Sequence, residues 1–396
     1  MNNELKQALS ATKDVRTESP VPTIFDLTLK EDRATFVGLI SSGNIQQKSD
    51  DYEEQQRELF GVRNPSLVYT PDFEDTFQTY YKGLSTEQPI EEHGRWVYYP
   101  WRGVASHILP EEEYQLVHTA RNRNLVTEEE QKKFYDSVIG IAGLSVGSSV
   151  AFAVALSGGG RRMKLADMDH LALSNTNRVL AGAEELGALK VYMAARKIYE
   201  INPYAELELF SDGLTEENID RFFDGLDIVI DEIDNLALKY LIREQASARK
   251  LPIVMAADNG DNALIEVERH DLEDKPSFFH NRMGKVSYDF LKGLDKFGIG
   301  KHITKWVGAD TVTIRMQDSL KELGKSLVSW PQLGIAAMIN GATVAYCIRR
   351  IVNGQELTND RALVSLDELL IPSFSSTESR AHRKKASDEF AQMFGL

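Results

Sequence analysis

The chain has 396 residues, and 45 Lys and Arg stand against 60 Asp and Glu for a formal charge of −15, a balance that excludes bulk attraction to a phosphate backbone. A single cysteine, Cys347, excludes an internal disulfide framework and a four-cysteine zinc site. No apolar run reaches the ~18 residues of a membrane span, and the opening MNNELKQALSATKD has no apolar core of signal-peptide type, so the chain is expected in the cytoplasm without membrane contact.

The first 50 residues are polar and carry RTESPVP, an irregular stretch. A helical segment, DYEEQQRELFGV, begins at Asp51. NPSLVYTPDF reads as a strand and turn, and GRWVYYPWRGVASHILP as two strand-like ends flanking Pro100. Residues 1–112 are therefore expected to form a separate α/β lobe that helps recognise substrate.

After that lobe the rhythm is regular. SVIGIAGL, RRMKLADMD, AELELFSDG, LDIVIDEIDN and LPIVMAAD read as strands. The segments between them read as helices: SVAFAVALS, the amphipathic GALKVYMAARKIYEIN ended by Pro203, TEENIDRFFDG with Thr215 as cap, and LALKYLIREQASARK. Strands alternating with helices predict right-handed β-α-β units. The expected class is α/β, a Rossmann-like, mainly parallel sheet with helices on both faces, over residues 113–372. Residues 373–396, with the basic run RAHRKK, read as a polar C-terminal tail.

Ligands of such sheets bind outside the carboxyl ends of the strands. There the sequence places Gly143, then Asp167 and Asp169, then Asp231, Asp234 and Asn235, then ADNGDN. Acids gathered on one edge repel one another unless hydroxyls or a cation share the site. In VIGIAGLSVGSS, Gly143 and Gly147 permit a tight turn, and Ser145, Ser148 and Ser149 add hydroxyls at a helix N-terminus that favours an anion. The plain alternative is a strand-to-helix turn with no ligand. Asp167 follows Gly143 by 24 residues, near the spacing at which an acid meets ribose hydroxyls; it reads equally as a helix cap. SNTNR, Ser174 to Arg178, and Lys190 twelve residues later supply amides and two cations, either to neutralise a polyphosphate or as solvated surface groups.

The ordered series G-x-x-x-G, D-x-D, S-N-x-N-R, G-x-x-K, I-N-P and I-D-N closely resembles the ThiF/MoeB superfamily, the adenylating domains related to ubiquitin-activating enzymes. The resemblance covers about residues 116–365 and includes TARNRNLVTEEEQKKFYDSVIGIAG at the first strand and, further on, the glycine-containing PQLGIAAMINGATVAYCIRRIVNG. It implies ATP and Mg²⁺ as cofactors. Asp167 would hold the ribose with Asp169 close by. Asn175, Arg178 and Lys190 would bind the triphosphate, and Asp234 the metal. Gly143, Ser145 and Gly147 would form the phosphate turn, which looks like the family's G-x-G-G-x-G with Ser145 and Val146 in place of two glycines. Arg123, with Arg121 as rival, would reach the ATP of a partner subunit in a homodimer with shared sites. The reaction implied is adenylation of a carboxylate, borne by a peptide, small protein or small molecule, with release of pyrophosphate.

Residues 252–346 contain no cysteine, and Cys347 lies in an apolar helical run, so neither a thioester step nor structural zinc is expected. Two other readings stand beside this one. The first is a catalytically inactive nucleotide-binding scaffold or regulatory subunit of the same family. The second is an NAD(P)-dependent oxidoreductase, in which S-N-x-N-R and I-D-N have no evident task.

Overall fold

The computed structural model describes residues 2–12, 14–274 and 276–396. It divides into two compact units, Met1–Gln131 with Ala195–Ala205, and Lys132–Ala194 with Glu206–Leu396. The expected lobe 1–112 falls wholly within the first unit, whose packing boundary is at 131.

The first unit holds a four-stranded sheet in the order β1-β3-β4-β2, with β1 Thr23–Phe25, β2 Gln47–Asp50, β3 Arg95–Tyr99 and β4 Val104–Ile108. The strands β3 and β4 are the two ends predicted around Pro100, paired antiparallel. Alternation sorts their side chains: Trp96 and Tyr98 join Phe25 and Phe36 in one core, and Val97 and Tyr99 join Ile108 in another. Helix α1, Lys30–Ser41, was not visible as a periodic pattern; Phe36 is its one buried side chain. Helix α2, Tyr52–Arg63, matches the segment expected from Asp51, and α3, Phe73–Glu87, follows. Between them, the strand expected in NPSLVYTPDF is absent. Pro65 and Pro71 lack a ladder N–H, and the backbone closes successive turns instead, Leu67 N–H to Asn64 O at 2.9 Å and Thr70 N–H to Leu67 O at 2.8 Å.

The second unit is built on a seven-stranded sheet in the order β11-β10-β9-β8-β5-β6-β7. The strands β5 Val138–Ala142, β6 Arg162–Ala166, β7 Glu206–Phe210, β8 Ile228–Asp231 and β9 Ile253–Asn259 are parallel, as predicted. Two antiparallel strands that the sequence did not announce, β10 Asn262–Glu268 and β11 Arg361–Val364, extend the β9 edge. Helices α4 Val146–Leu156, α5 Lys190–Ile201 and α6 Leu236–Arg249 fall in the predicted connections. Thr215 does not cap a helix: its hydroxyl accepts from Asn218 N–H at 3.2 Å and closes a turn, and the helix that follows is only Ile219–Phe223, with Asn218 as its N-cap.

Helix α7, Gly334–Val352, is the glycine-containing helix of the sequence and lies against α4. Gly341 sets that approach, since a Cβ there would come within 2.6 Å of Ser149 O. Its 19 residues have the length and composition of a membrane span, contrary to the sequence reading that no such run exists, and half of that window is buried in the fold. The last stretch, read as a polar tail, contains helix α8, Thr377–Met393, which buries Phe390.

Candidate functional site

Strand order reverses at β5: β6 and β7 follow on one side, β8 and β9 on the other. The crevice outside the carboxyl ends at such a reversal is where open α/β sheets take ligands, and the segments after β5, β6, β8 and β9 meet there.

Gly143 leaves β5 with φ +88°, and an added Cβ would sit 2.4 Å from Glu232 O. Its glycine is thus required by the neighbouring strand end as well as by the turn. Asp167, at the end of β6, holds the turn down. Its Oδ2 accepts Leu144 N–H at 2.7 Å and its Oδ1 accepts Asp169 N–H at 2.8 Å. Burial raises its carboxyl above the ordinary value, while those N–H donors and Lys190 pull the other way. Ser145 caps α4 without a side-chain bond to the helix, and its hydroxyl accepts from Arg178 Nε at 3.1 Å. Gly147 is buried in the first turn of α4, where a Cβ would press on Ile141 at 3.0 Å. Ser148 turns back to Ser145 O at 2.8 Å.

Two cations serve this edge. Lys190 opens α5, where the helix dipole disfavours a positive charge. Its ammonium is nearly buried and pairs at 2.8 Å with the exposed carboxylate of Asp169. Arg178 sits in the loop closed by Asn175, whose Oδ1 accepts Ala172 N–H at 3.1 Å. Burial lowers the Arg178 pKa from its ordinary value, and the carboxylates of Asp258 and Asp234 act against that shift. Arg178 therefore stands among the ends of β5, β8 and β9.

The acids of β8 have separate fates. Asp231, counted in the sequence among the acids of the edge, is instead fully buried in a core network. Arg243 reaches it at 2.6 Å and Lys239 at 3.1 Å, and Arg243 also holds Glu268 at 2.7 Å. Asn235 caps α6 by accepting Leu238 N–H at 3.0 Å. Asp234 is exposed and borders a pocket of about 380 Å³ whose wall includes Thr215, Leu236, Tyr288, Lys292 and Ile299.

Two acids of this edge were not singled out in the sequence. Glu232 accepts Ala256 N–H at 2.8 Å, and burial raises its carboxyl well above the usual range. Asp258 ends β9 and accepts Asn340 Nδ2 at 2.7 Å and Gln332 Nε2 at 3.1 Å. Burial pushes its carboxyl up to about 6, against those two donors and Arg178. The only signal for Asp258 was an acid at a strand end.

Arg123 is exposed at the end of the turn Ala120–Asn122 in the first unit, as is Arg121 within it. Cys347 is buried in α7, and burial pushes its thiol up to about 11. Among the described residues no group of three or more His, Cys, Asp or Glu has the arrangement of a metal cage.

A parallel sheet with its order reversed at β5, a helix N-terminus beside that reversal and two cations facing it define a Rossmann-like α/β domain. Residues 119–266 match the model of the ThiF family, so this stretch of the chain is a ThiF-family domain. The chain is 35% identical over 333 residues to an uncharacterized protein of Mycobacterium tuberculosis, covering 83% of this chain but only 46% of that one. It is 29% identical over 208 residues to the tRNA threonylcarbamoyladenosine dehydratase of Bacillus subtilis, covering 52% of this chain and 80% of the relative. It is 30% identical over 144 residues to the sulfur carrier protein adenylyltransferase of Thermus thermophilus, covering 36% of this chain and 52% of the relative.

Proposed function

We propose that this chain binds ATP at the β5 reversal and adenylates a carboxylate, releasing pyrophosphate. The observation that carries the reading is the convergence of Arg178, the turn at Ser145 and the Asp167–Asp169–Lys190 group on one strand edge. Cations there have an anion-binding helix N-terminus beside them, and an adenylating enzyme needs charge neutralised along a triphosphate more than it needs a strong base. The name of the Thermus relative, a sulfur carrier protein adenylyltransferase, supports the same class of chemistry.

The substrate carboxylate attacks the α-phosphorus, the bond from that phosphorus to the bridging oxygen breaks, and pyrophosphate leaves with both electrons of the bond. Arg178 and Lys190 hold the phosphates, with Asn175 keeping the Arg178 loop closed. Asp167 fixes the turn and presents its remaining lone pairs to the ribose, beside Asp169. Asp234 suits Mg²⁺, because one exposed carboxylate together with phosphate oxygens and water is a normal oxygen set for that ion. The ion would supply charge compensation on the phosphates. The buried Cys347, its thiol held protonated, supports a reaction without a thioester step.

The active form in this reading is a homodimer. α7 leaves Ile335, Met338 and Tyr346 exposed at 55%, 71% and 46%, an apolar stripe of the kind that a second copy covers. Arg123 of the first unit would act across that dimer, with the first unit also selecting the substrate: a peptide, small protein or small molecule bearing a carboxylate. A nucleotide-binding subunit without activity is the second reading, favoured by Ser145 and Val146 in the turn. Isotope exchange between pyrophosphate and ATP, with a panel of carboxylates, tests both. Exchange supports the enzyme, ATP binding without exchange supports the subunit, and a preference for NAD⁺ in calorimetry removes both.

A further inference from the structure

Asp258 has no part in the motifs of the sequence, yet three elements of the site edge depend on it. It stands at the end of β9 and reaches Gln332, in the segment before α7, and Asn340, a side chain with no exposed surface inside α7. That segment in turn grips the loop of Arg178. Gln332 O accepts Asn177 Nδ2 at 2.8 Å, and Asn177 Oδ1 accepts from the Arg178 guanidinium at 3.0 Å. Gly334 closes the contact: a Cβ at this position would come within 2.4 Å of Asn177 O. The chain of contacts thus runs Asp258, Gln332, Asn177, Arg178, its first two members 74 positions apart in sequence.

A second link is electrostatic. Of the charges that offset the burial of Arg178, Asp258 is the larger and Asp234 the smaller. The groups that face Asp258 are few. Among the described residues, the Arg178 loop supplies a cation, Glu232 after β8 supplies an acid, and α7 and the segment before it supply the neutral amides Asn340 and Gln332. A carboxylate half-buried among amides is costly unless a charge answers it. An apolar residue would fill the same space without that cost. The carboxylate makes sense where the position of a cation has to be fixed.

We infer that Asp258 is the positioning residue of Arg178, holding its guanidinium over the turn at Ser145 both through Gln332 and Asn177 and by direct attraction. This rests on the reading of Arg178 as a phosphate ligand. Asp258 touches neither nucleotide nor substrate; it narrows the orientations from which Arg178 must be recruited when ATP arrives, which lowers the KM for ATP and leaves the step after binding largely unchanged.

The test is pyrophosphate–ATP exchange and ATP calorimetry on the full chain with Asp258→Asn, Gln332→Ala and the double variant. Asp258→Asn is expected to raise the KM for ATP about tenfold with kcat changed less than threefold. Gln332→Ala, a side chain only partly buried, is expected to raise it about threefold, and the double variant to be no worse than Asp258→Asn, because the two act as one unit. In the wild type the KM for ATP should rise as the pH falls through about 6, where Asp258 gains a proton; Asp258→Asn should lose that rise and keep only the titration of ATP itself. Unchanged KM in Asp258→Asn while the wild type binds ATP overturns the inference and leaves the proposed function standing. So do additive effects of the two substitutions. A wild type that binds no ATP removes both.

Discussion

The Nε of Arg178 donates to the hydroxyl of Ser145 at 3.1 Å, so the cation of the loop after β6 rests on the residue that opens α4. The hydroxyl makes no cap bond to α4. Its removal costs the site and not the helix. Ser145→Ala is expected to raise the KM for ATP about fivefold, the equivalent of one hydrogen bond of about 1 kcal/mol, with the melting temperature unchanged. A drop in melting temperature with an unaltered KM would make Ser145 a structural cap after all.

Asp167 differs from its neighbours in having two tasks. Leu144 has no exposed surface, and its N–H is answered by Asp167 Oδ2. Asp167→Ala leaves that donor buried and unsatisfied, a loss of about 1–3 kcal/mol. Urea unfolding should show it, together with loss of ATP binding. Asp169→Ala, on an exposed carboxylate, should spare stability; equal destabilisation by both would refute the assignment of Asp167 as the pin of the turn.

Asp234 is expected to be the converse case. It is exposed at the strand edge, in contrast to the buried Asp231 three residues before it. Asp234→Ala should abolish exchange and leave circular dichroism and melting temperature intact. Asp231→Ala should unfold or strongly destabilise the chain, by about 3–5 kcal/mol, since it leaves Arg243 short of one of its two carboxylates in the core.

The contrast between these two acids marks how far the sequence could be read. The β-α rhythm gave the five parallel strands because buried parallel strands are continuous apolar runs. It could not give β10 and β11: Glu266 and Glu268 break the apolar pattern of β10, and only the structure brings Arg282 and Arg361 to Glu266, and Arg243 to Glu268. Local motif spacing placed Arg178, Lys190, Asp167 and Asp234 at one edge. Asp231 looked like a member of the same set, since its burial is decided by α6. Asp258, inside the ADNGDN of the fifth strand end, had no role legible in the sequence because its partners, Gln332 and Asn340, lie 74 and 82 residues away.

Asp258 also makes a prediction for stability. Its carboxyl is raised in the fold from 3.8 to about 6. A raised carboxyl favours the folded state fully only below the unfolded value, and that advantage is lost as the pH rises through about 6. At pH 7.5 the wild type therefore carries a cost that Asp258→Asn removes. The variant should be more stable by about 1–3 kcal/mol at pH 7.5, and the difference should shrink towards pH 4. It would combine a higher melting temperature with weaker ATP binding. A variant less stable than the wild type at pH 7.5 would show that the two accepted hydrogen bonds outweigh burial.

The last prediction concerns Arg123 and the dimer. The residues proposed to hold ATP lie in the second unit, and Arg123 lies in the first, on an exposed turn that ends at Asn122. A cation delivered from a second chain adds charge stabilisation at the transferring phosphoryl group, ties activity to assembly, and on a two-fold axis is supplied twice. Arg123→Ala and Asp234→Ala chains should each be inactive alone. Mixed and allowed to exchange subunits, they form heterodimers with one complete site, built from the Asp234 of one chain and the Arg123 of the other. With free exchange half of the dimers are of this kind and each has one working site of two, so about a quarter of wild-type activity should return. The same mixture made with Arg121→Ala in place of Arg123→Ala identifies which arginine crosses. A mixture that exchanges subunits and stays dead, or full activity in a strictly monomeric preparation, would place the arginine's action within its own chain or remove it from the reaction.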